Sequence, residues 1–386
     1  MPKAPRQVLV SAGEASGDRY AALLVEELRL RWPSTQFFGC TGPRLRESGV
    51  ETVVASEKLA VVGLVEVIRH LPRIYGQFQR LLKAVRERKP DLAILTDSPD
   101  FHLRVAAKLA KLPIPVVYLI APQVWAWRKG RLKKIRALVR SLLCIFPFEE
   151  KFFRENGVRA RYIGHPLAEI ARSQLTREQF RAKHDIPEGR QLIVILPGSR
   201  RGEAIRHLPP LLGAVERLGQ EFSVHFLLPA SPNTGTQFFR ERIGSTSIQV
   251  IDGEAWDAMA HADLVLAASG TVTTEAAILG TPMVVFYRVN RLSWVLGKML
   301  VTVPFFSMVN LIAEKRVVPE LIQGQMTANA IAREATVLLR SDEARRTMRE
   351  ELAVVASRLR FQGSDGRGAM ARAADEVIEV WEESGV

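Results

Sequence analysis

The chain has 386 residues, which is too long for one compact core and indicates two domains that each bury a core. A composition of 47% hydrophobic and 25% charged residues excludes a disordered chain. The 54 Lys and Arg residues exceed the 41 Asp and Glu residues, and the formal charge of +13 favours nucleic acid, a phosphorylated substrate or an anionic membrane face as partner.

Cysteine usage and hydropathy give expectations about compartment. Cys40 and Cys144 lie in apolar runs, which indicates buried thiols in a reducing, cytosolic environment. The apolar run Val8–Val10 is too short for the core of a signal peptide. The longest charge-free stretches are interrupted by proline or polar residues and fall short of the roughly 20 apolar residues that span a bilayer. The sequence therefore predicts neither export nor a membrane crossing.

Short apolar, β-branched runs alternate with helical stretches along most of the chain, which predicts a mostly parallel sheet in each half. In the first half the predicted strands are Val8–Ala12, Gln36–Cys40, Thr52–Val54, Asp91–Leu95, Val116–Ile120, Ser141–Ile145 and Arg161–Ile163. In the second half they are Leu192–Leu196, Val224–Leu228, Ile248–Ile251, Leu264–Leu266 and Met283–Phe286. The stretch Ala168–Lys183 is predicted as a helix that bridges the halves.

The first strand runs into a Gly-rich turn, Gly13-Glu-Ala-Ser-Gly-Asp18. Its spacing is not G-x-G-x-x-G, so a dinucleotide is disfavoured. Glu14 and Asp18 either line a binding site or cap a helix. Further on, the apolar stretch Leu59–Leu82 is studded with Arg, which is typical either of a surface that touches lipid or of two core helices divided near Pro72.

The strand Asp91–Leu95 is followed by Thr-Asp-Ser-Pro-Asp-Phe, residues 96–101. Loops at the carboxyl ends of parallel strands hold ligands, so Asp97 is well placed to act as a general base. Asp100 is interpreted as the N-cap of the next helix. A lone histidine after a strand, His165, is interpreted as structural.

Two tryptophans precede a basic run, since six of the nine residues in Arg128–Arg136 are Lys or Arg. Together with Trp125 and Trp127 this run would suit single-stranded nucleic acid, a lipid or substrate phosphate, or a solvated helix face. The residues leave these three alternatives open.

The second half carries two polar turns that suit an anion. In Pro197-Gly198-Ser199-Arg200 the backbone and Ser199 can bind a phosphate, while Arg200 can neutralise charge that develops on it. The turn Ser269-Gly270-Thr271 opens a helix of small residues, and the start of a helix attracts anions. Glu275, about one turn further on, suits a ribose diol. The alternative is a crossover helix capped by Ser or Thr.

Two further stretches complete the sequence. The aromatic and apolar passage Trp294–Val309 is interpreted as a lipid-facing or acyl-facing surface or as core, and Asn310 follows it. The tail Ala328–Glu383 is helical by period, with a Gly-rich break at Gln362–Gly368.

Taken together and in order, these motifs resemble the lipid-A-disaccharide synthase family over nearly the whole chain. The motifs are Ser11-Ala-Gly-Glu-Ala-Ser-Gly-Asp18, Asp97-Ser-Pro-Asp-Phe101, Val124-Trp-Ala-Trp-Arg128, Ile163-Gly-His-Pro166, Leu196-Pro-Gly-Ser-Arg200, and Ala268-Ser-Gly-Thr271 with Glu275. The resemblance implies an α/β fold of the GT-B type, with two Rossmann-like domains facing across a cleft. Residues 1–168 would form the acceptor and membrane-facing domain, 169–345 the UDP-sugar domain, and 346–386 helices returning toward the first domain.

The resemblance also implies the reaction, an inverting transfer of 2,3-diacylglucosamine from UDP to the 6-hydroxyl of 2,3-diacylglucosamine 1-phosphate. Asp97 would be the base. The donor would be held by Gly198, Ser199, Arg200, Ser269, Gly270, Thr271 and Glu275. Ser11, Gly13, Glu14 and Asn310 match family motifs in the cleft without an assigned role. Residues 272–274 and Arg201-Gly202 depart from the family pattern, so either Arg200 or Arg201 would contact the diphosphate.

Both implied substrates carry acyl chains, so the resemblance favours lipid contact for the apolar stretch. The implied acceptor and membrane surface comprises Val61, Val62, Leu64, Val65 and Ile68. The implied location is the cytoplasmic face of the inner membrane, with peripheral attachment to an anionic surface, no nucleic acid partner and a possible homo-oligomer. No metal or other cofactor is expected, because Arg and helix-end N–H groups already serve the leaving group.

Two rival functions remain at this stage. A sugar-nucleotide 2-epimerase of the same fold type would need acid and base groups around C2 of the sugar but no acyl-binding surface. A basic nucleic-acid-binding protein would use Trp125, Trp127 and the run Arg128–Arg136. Salt-dependent RNA binding without affinity for UDP would favour the second rival.

Overall fold

The computed structural model describes residues 4–59, 64–126, 129–232, 234–290, 294, 303–361 and 366–385, and the side chains of 64–70 and 129 lie outside that description. The chain divides into two compact units. The first unit comprises Met1–Glu169 together with Phe361–Val386, and the second unit comprises Ile170–Arg360.

The first unit contains a seven-stranded sheet flanked by helices. Its strands are β1 (Gln7–Ala12), β2 (Gln36–Thr41), β3 (Glu51–Ala55), β4 (Leu92–Thr96), β5 (Val116–Leu119), β6 (Ser141–Cys144) and β7 (Ala160–Tyr162). The helices between them are α1 (Ala15–Arg31), α2 (Pro43–Glu47), α3 (Leu64–Arg88), α4 (Pro99–Leu109), α5 (Leu132–Leu138) and α6 (Pro147–Glu155).

The second unit contains a six-stranded sheet, and the short helix α7 (Leu167–Ile170) lies at the passage from the first unit. Its strands are β8 (Gln191–Leu196), β9 (Val224–Ala230), β10 (Ile248–Asp252), β11 (Leu264–Ala268), β12 (Met283–Tyr287) and β13 (Glu320–Ile322). Its helices are α8 (Arg177–Lys183), α9 (Arg201–Glu221), α10 (Thr236–Ile243), α11 (Ala255–His261), α12 (Thr271–Ile278), α13 (Met308–Ala313), α14 (Ala328–Arg340) and α15 (Asp342–Leu359). The last helix, α16 (Ala369–Glu383), belongs to the first unit.

Both sheets are parallel and share one strand order. The order is β3-β2-β1-β4-β5-β6-β7 in the first unit and β10-β9-β8-β11-β12-β13 in the second. The central strands are buried on both faces, as near-continuous apolar runs such as that of β11 require. In each unit the order reverses beside the first strand, between β1 and β4 and between β8 and β11. A crevice that accepts ligands forms at the carboxyl ends of the strands at such a point.

The helix α16 is held to the first unit by packing against α1 and by a buried carboxylate. Glu376 is only 3% exposed. It accepts hydrogen bonds from the Ser141 hydroxyl at 2.7 Å and from Arg159 Nη2 at 3.1 Å, and Arg161 Nε also donates to it at 3.1 Å. These contacts tie the end of the chain to β6 and β7.

Three elements differ from the sequence-based predictions. The division near Pro72 is wrong, because α3 continues through the proline and its later turns bury Leu81 and Val85 in the core. The predicted helix Ala168–Lys183 is two helices, since the N–H groups of Gln174 and Leu175 between them bond to Asp257 instead. The strand β13 was not predicted because three residues give no periodic signal.

Within the part of the chain that is described, no helix combines the length and the apolarity that crossing a bilayer requires.

Candidate functional site

Polar loops lie at the strand reversal of each unit. In the first unit the loop after β1 and the loop after β4 meet there, and they carry Gly13, Glu14 and Asp97. In the second unit β8 and β11 are adjacent strands, and the loops that follow them carry Ser199, Arg200 and Ser269. The topology thus gives each unit its own candidate site at the position that sequence reasoning predicts for ligand binding.

The carboxylate of Asp97 is held by two backbone amides. The N–H of Gly13 donates to Oδ1 at 2.8 Å, and the N–H of Glu14 donates to Oδ2 at 3.0 Å. A side chain at Gly17 would overlap this carboxylate, and one at Gly13 would overlap Ser98. The Gly-rich spacing after β1 therefore makes room for the Asp97 side chain, and a single added methyl group would displace it.

The backbone at Asp97 adopts an unusual conformation. Asp97 has a φ of 51° and Ser98 a φ of 34°, so two successive residues other than glycine lie in the left-handed region. Such conformations cost on the order of 1–3 kcal/mol each and persist where the surroundings impose them. Here the Asp97 carbonyl accepts hydrogen bonds from Nδ1 of His102 at 3.0 Å and from the hydroxyl of Tyr118.

The protonation of Asp97 is shifted into the physiological range. Burial, and secondly the charge of Glu14, raise its pKa from 3.8 to about 8, although the Gly13 and Glu14 amides oppose the rise. The side chain is 12% exposed, so it is accessible to a substrate. A carboxyl group with this pKa is a much stronger base, once deprotonated, than an ordinary aspartate.

Asp100 and Asp18 of the first unit have structural partners. Asp100 is not the N-cap of α4, because that position is Ser98, and Asp100 instead forms an ion pair with Arg131. Asp18 is buried and accepts hydrogen bonds from the N–H groups of Gly42 and Arg44 at the start of α2. Of the two alternatives for Asp18, the structure supports helix capping. Glu14 is exposed and precedes α1.

Two further motifs of the first unit are partly described. Trp125 is buried and its indole donates to Glu149 Oε1 at 2.9 Å, and burial raises the pKa of Glu149 to about 7. His165 is enclosed by the rings of Tyr20 and Phe146, in agreement with a structural role. Trp127 and Arg128 lie outside the described residues, while Lys133 and Lys134 are exposed on α5.

The predicted acceptor and membrane surface is only partly described. Val61 and Val62 lie outside the described residues, and Leu64, Val65 and Ile68 are placed on α3 by their backbone alone. Further along α3, an apolar cavity of about 380 Å³ is lined by Leu71, Pro72, Ile74, Tyr75, Phe78 and, from α4, Arg104. In the same wall Phe78 contacts Phe101 edge-on, with ring centroids 5.9 Å apart. The cavity therefore adjoins the helix that begins beside Asp97.

In the second unit, Gly198 and Arg200 shape the first polar turn. Gly198 has a φ of 117°, which favours glycine, and a Cβ there would lie 3.1 Å from the Glu203 side chain. Arg200 is the N-cap residue of α9, is exposed, and forms an ion pair with Glu203 at 3.3 Å. Arg201 is also exposed, and its guanidinium lies over the ring of Phe238 at 5.4 Å and donates to the Thr234 carbonyl at 3.4 Å.

The second polar turn also opens a helix. Gly270 is the N-cap of α12 and no side chain caps the helix, so the alternative of a Ser- or Thr-capped helix is wrong. Thr271 is exposed and Glu275 is half-buried on α12. The Ser269 hydroxyl donates to the Phe306 carbonyl at 3.1 Å. Together with the start of α9, the turn gives this unit two helix starts on neighbouring strands, an arrangement suited to an anion.

Asn310 supports this turn from inside the second unit. It is fully buried, its amide donates to Val318 O at 2.9 Å and to Glu320 Oε1 at 2.8 Å, and its carbonyl accepts from Val317 N and Val318 N. Glu320 in turn accepts from the N–H groups of Phe306 and Ser307. Asn310 thus acts through Glu320 on the backbone segment that Ser269 contacts.

Sequence reasoning missed two residues that shape the second site. Glu320 follows Pro319 in a strand too short to recognise. His207 is buried in α9, where Nδ1 lies 2.8 Å from the carbonyl of Pro197 and Nε2 accepts from the N–H of Arg288 at 3.0 Å. It therefore ties the first polar turn to the end of β12. A lone histidine between apolar positions carries no signal of such a role.

Residues that hold a metal in proteins are usually clustered, and the described ranges bring together no group of three or more His, Cys, Asp or Glu residues suited to one.

Comparison with known proteins identifies the family. Residues 8–373 match the family model described as lipid-A-disaccharide synthetase. A protein from Solibacter usitatus named lipid-A-disaccharide synthase is 60% identical over 380 residues, which are 98% of each chain. One of the same name from Myxococcus xanthus is 41% identical over 379 residues, 97% of this chain and 98% of that one.

Solved structures show the same fold at low sequence identity. The UDP-GlcNAc 2-epimerase from Neisseria meningitidis, bound to UDP-GlcNAc, has a TM-score of 0.64 at 13% identity and covers 98% of this chain and 100% of that chain. The glycotransferase of kitacinnamycin has a TM-score of 0.64 at 15% identity, with the same coverage. These similarities place the chain in the GT-B fold class and by themselves carry no activity.

Because the family match spans nearly the whole chain, it decides between the enzymes that share this fold. The family supplies a hexosyltransferase of lipid A biosynthesis, with a UDP-sugar donor and a lipid acceptor. The chain belongs to the lipid-A-disaccharide synthetase family.

Proposed function

We propose that the chain is an inverting glycosyltransferase that makes a β-1,6 disaccharide from two acylated glucosamines. The donor is UDP-2,3-diacylglucosamine, the acceptor is 2,3-diacylglucosamine 1-phosphate, and the second product is UDP. The observation that carries the proposal is the Asp97 carboxyl group, which has a pKa of about 8 and lies at the strand reversal of the first unit.

The proposed chemistry is a single displacement at the anomeric carbon. Asp97 takes the proton of the acceptor 6-hydroxyl. The oxygen of that hydroxyl attacks C1 of the donor sugar from the face opposite UDP. The C1–O bond to the β-phosphate breaks, and UDP leaves with the electron pair. One displacement inverts the configuration, so the α-linked donor gives a β-linked product. The role of Asp97 requires its deprotonated form, with the carboxylate oriented by the Gly13 and Glu14 amides.

The leaving group is held by the second unit in this proposal. The turns at Gly198–Arg200 and Ser269–Thr271 supply N–H groups at the starts of α9 and α12 to the diphosphate. Arg200, rather than Arg201, neutralises the charge that develops on it, because Arg201 is already engaged with Phe238 and Thr234. Glu275 accepts hydrogen bonds from the uridine ribose.

The acyl chains and the membrane are assigned to the first unit. The stretch from Val61 through α3 and its apolar cavity is proposed to receive acyl chains next to the base. The exposed basic face of α5 is proposed to meet anionic headgroups on the cytoplasmic side of the inner membrane. This attachment is peripheral and electrostatic.

In the test, the purified chain is incubated with UDP-linked diacylglucosamine and diacylglucosamine 1-phosphate, without added metal. We expect equimolar UDP and a tetraacyl disaccharide 1-phosphate, whose anomeric proton and carbon show a β-1,6 linkage by NMR. An α linkage would overturn the single displacement. Release of free sugar, or of an epimerised UDP-sugar without disaccharide, would overturn the proposed acceptor.

A further inference from the structure

His102 contacts the peptide of Asp97 and takes no part in the proposed bond-making steps. Its imidazole is fully buried near the start of α4, where it meets the ring of Phe101 edge-on at 5.2 Å. Nδ1 lies 3.0 Å from the Asp97 carbonyl oxygen, and Nε2 lies 2.8 Å from the hydroxyl of Ser11 on β1. Both ring nitrogens are therefore engaged.

The direction of these hydrogen bonds follows from the chemistry of the partners. A carbonyl oxygen only accepts, so Nδ1 of His102 must carry the hydrogen. Burial lowers the pKa of His102 to about 4, so the ring is neutral at physiological pH and Nε2 is an acceptor. Ser11 must then donate to Nε2. The chain of donors runs from Ser11 through His102 to the backbone of Asp97.

The Asp97 carbonyl is the point on which three elements converge. Besides His102 from α4, the hydroxyl of Tyr118 on β5 donates to it, and Ser11 on β1 acts through His102. The peptide they hold is the left-handed one, in which Asp97 and Ser98 both have positive φ. The next peptide is held separately, because the Ser98 carbonyl accepts from the N–H groups of Phe101 and His102.

We propose that His102 is a positioning residue for Asp97, and that Ser11 holds the ring by donating to Nε2 in the tautomer that the Asp97 carbonyl selects. The neutral Nδ1–H holds the left-handed peptide, and that peptide directs the carboxylate onto the N–H groups of Gly13 and Glu14. His102 is not itself the base, because its Nδ1 stays 3.9 Å from Asp97 Oδ1 and both nitrogens are occupied. The inference rests on the proposed role of Asp97.

Three substitutions at His102 separate a hydrogen-bond donor from a packing group. The side-chain amide of asparagine places an N–H close to the position of Nδ1. The side-chain amide of glutamine lies nearer to the position of Nε2. Leucine fills the volume of the ring but has no hydrogen-bond donor. We expect His102→Leu and His102→Gln to lower kcat by about 10- to 100-fold, the loss typical of a misplaced catalytic group. His102→Asn should retain most of the wild-type kcat.

KM for both substrates and the affinity for UDP should change little in all three variants, since the donor site lies in the second unit. A packing role predicts the reverse order, with leucine tolerated better than asparagine at a buried, apolar position. If kcat of His102→Asn falls as far as that of His102→Leu while the melting temperatures stay at the wild-type value, the donor role is overturned.

Ser11→Ala tests the contact to Nε2. The substitution should lower kcat in the wild-type background, because Nε2 is then buried without a donor and the ring is held less firmly against the Asp97 carbonyl. In the His102→Asn background the same substitution should have almost no effect, since asparagine places no acceptor at the position of Nε2. Equal losses in both backgrounds would overturn the role assigned to Ser11.

Asp97→Asn, assayed in parallel, separates this inference from the function on which it rests. If Asp97→Asn nearly abolishes turnover while His102→Leu remains fully active, the positioning role falls and the proposed function stands. If Asp97→Asn is itself mild, the proposed base is wrong and the inference falls with it. The result that supports both is a near-complete loss in Asp97→Asn, with no further loss when His102→Leu is added to it.

Discussion

Burial raises the pKa of the Asp97 carboxyl group to about 8, and the N–H groups of Gly13 and Glu14 orient its carboxylate. That an acid follows a buried strand was enough to predict a base at the edge of the sheet. The two amides that hold the carboxylate belong to the β1 loop, and Gly13 lies 84 positions away in the chain. The carbonyl of the left-handed peptide is held by His102 and by Tyr118 on β5. Such contacts leave no local pattern, so the orientation and pKa of the base could not be predicted.

The pH dependence of activity should report the raised pKa of Asp97. A carboxyl group is inactive as a base while protonated, so kcat/KM should rise with pH through a midpoint near 8 rather than near 3.8. Glu14→Gln removes the charge that is the second cause of the raised Asp97 pKa, and burial of the carboxyl group remains. The midpoint of the pH profile should therefore move to lower pH without reaching the pKa of a free aspartate.

The measurement is kcat/KM between pH 5 and about 9.5, a span chosen to bracket the expected midpoints. Glu26→Gln, an exposed acid on α1, the helix that Glu14 precedes, is the matched control and should leave the midpoint in place. An unchanged midpoint in Glu14→Gln would mean that the charge of Glu14 does not act on the base.

The two neighbouring arginines at the start of α9 should differ in their effect on UDP. Arg200 is exposed at the N-cap, so Arg200→Ala should weaken UDP binding by about tenfold or more, as loss of a charge-assisted hydrogen bond does. Arg201→Ala should change the affinity much less, because Arg201 contacts Phe238 and Thr234. Titration calorimetry with UDP checks both, and a larger loss in Arg201→Ala would reverse the assignment.

Helices and strands with a strong hydrophobic period were predicted correctly from the sequence. Boundaries that depend on tertiary contacts were not. The buried strands and the two polar turns of the second unit follow from apolar runs punctuated by glycine, and the structure confirms the positions of these strands and turns. The break between α7 and α8 depends on Asp257, and the continuity of α3 through Pro72 depends on core packing. Both are tertiary effects that override local preference.

Substitution of Asn310 should lower the stability of the second unit. Asn310→Ala removes the side-chain hydrogen bonds to the N–H groups of Val317 and Val318. It also removes the hydrogen bond from the Asn310 amide to Glu320 Oε1. The free energy of unfolding should fall by about 2–3 kcal/mol, the usual effect of unsatisfied buried groups. UDP affinity should fall as well, because Glu320 holds the segment that contacts Ser269.

Denaturant titration followed by calorimetry with UDP measures both effects. Gln237→Ala, on an exposed position of α10, serves as the control and should change neither quantity. A destabilised Asn310→Ala that still binds UDP normally would confine Asn310 to a structural role and would exclude action on the donor turn.

For the molecule as a whole, the charge of +13 should appear as salt-dependent attachment to anionic lipid. Vesicles that contain anionic phospholipid should bind the chain, and rising ionic strength should release it. Lys133, Lys134 and Arg136 are exposed on α5, so replacing all three with alanine should weaken vesicle binding by about 100-fold, at roughly 1 kcal/mol per charge.

The control removes three exposed charges from the second unit, Arg316, Arg346 and Arg349, and should have a smaller effect. Co-sedimentation with neutral and anionic vesicles distinguishes the cases. Equal losses in both triple variants would indicate attraction by net charge alone, and binding to RNA in place of vesicles would support the rival nucleic-acid function.

The proposed inverting reaction depends on one proton transfer by one acid, Asp97. Its most direct test is the turnover of Asp97→Asn with both diacylglucosamine substrates, alongside UDP binding by the same preparation. Asparagine keeps the size of the side chain, but its amide can accept only one of the two hydrogen bonds from Gly13 N–H and Glu14 N–H, and it cannot take a proton. Turnover should therefore fall by about 10³-fold or more while UDP affinity stays at the wild-type value. Turnover within a few fold of the wild type would contradict the account and move the base to Glu14 or Asp100.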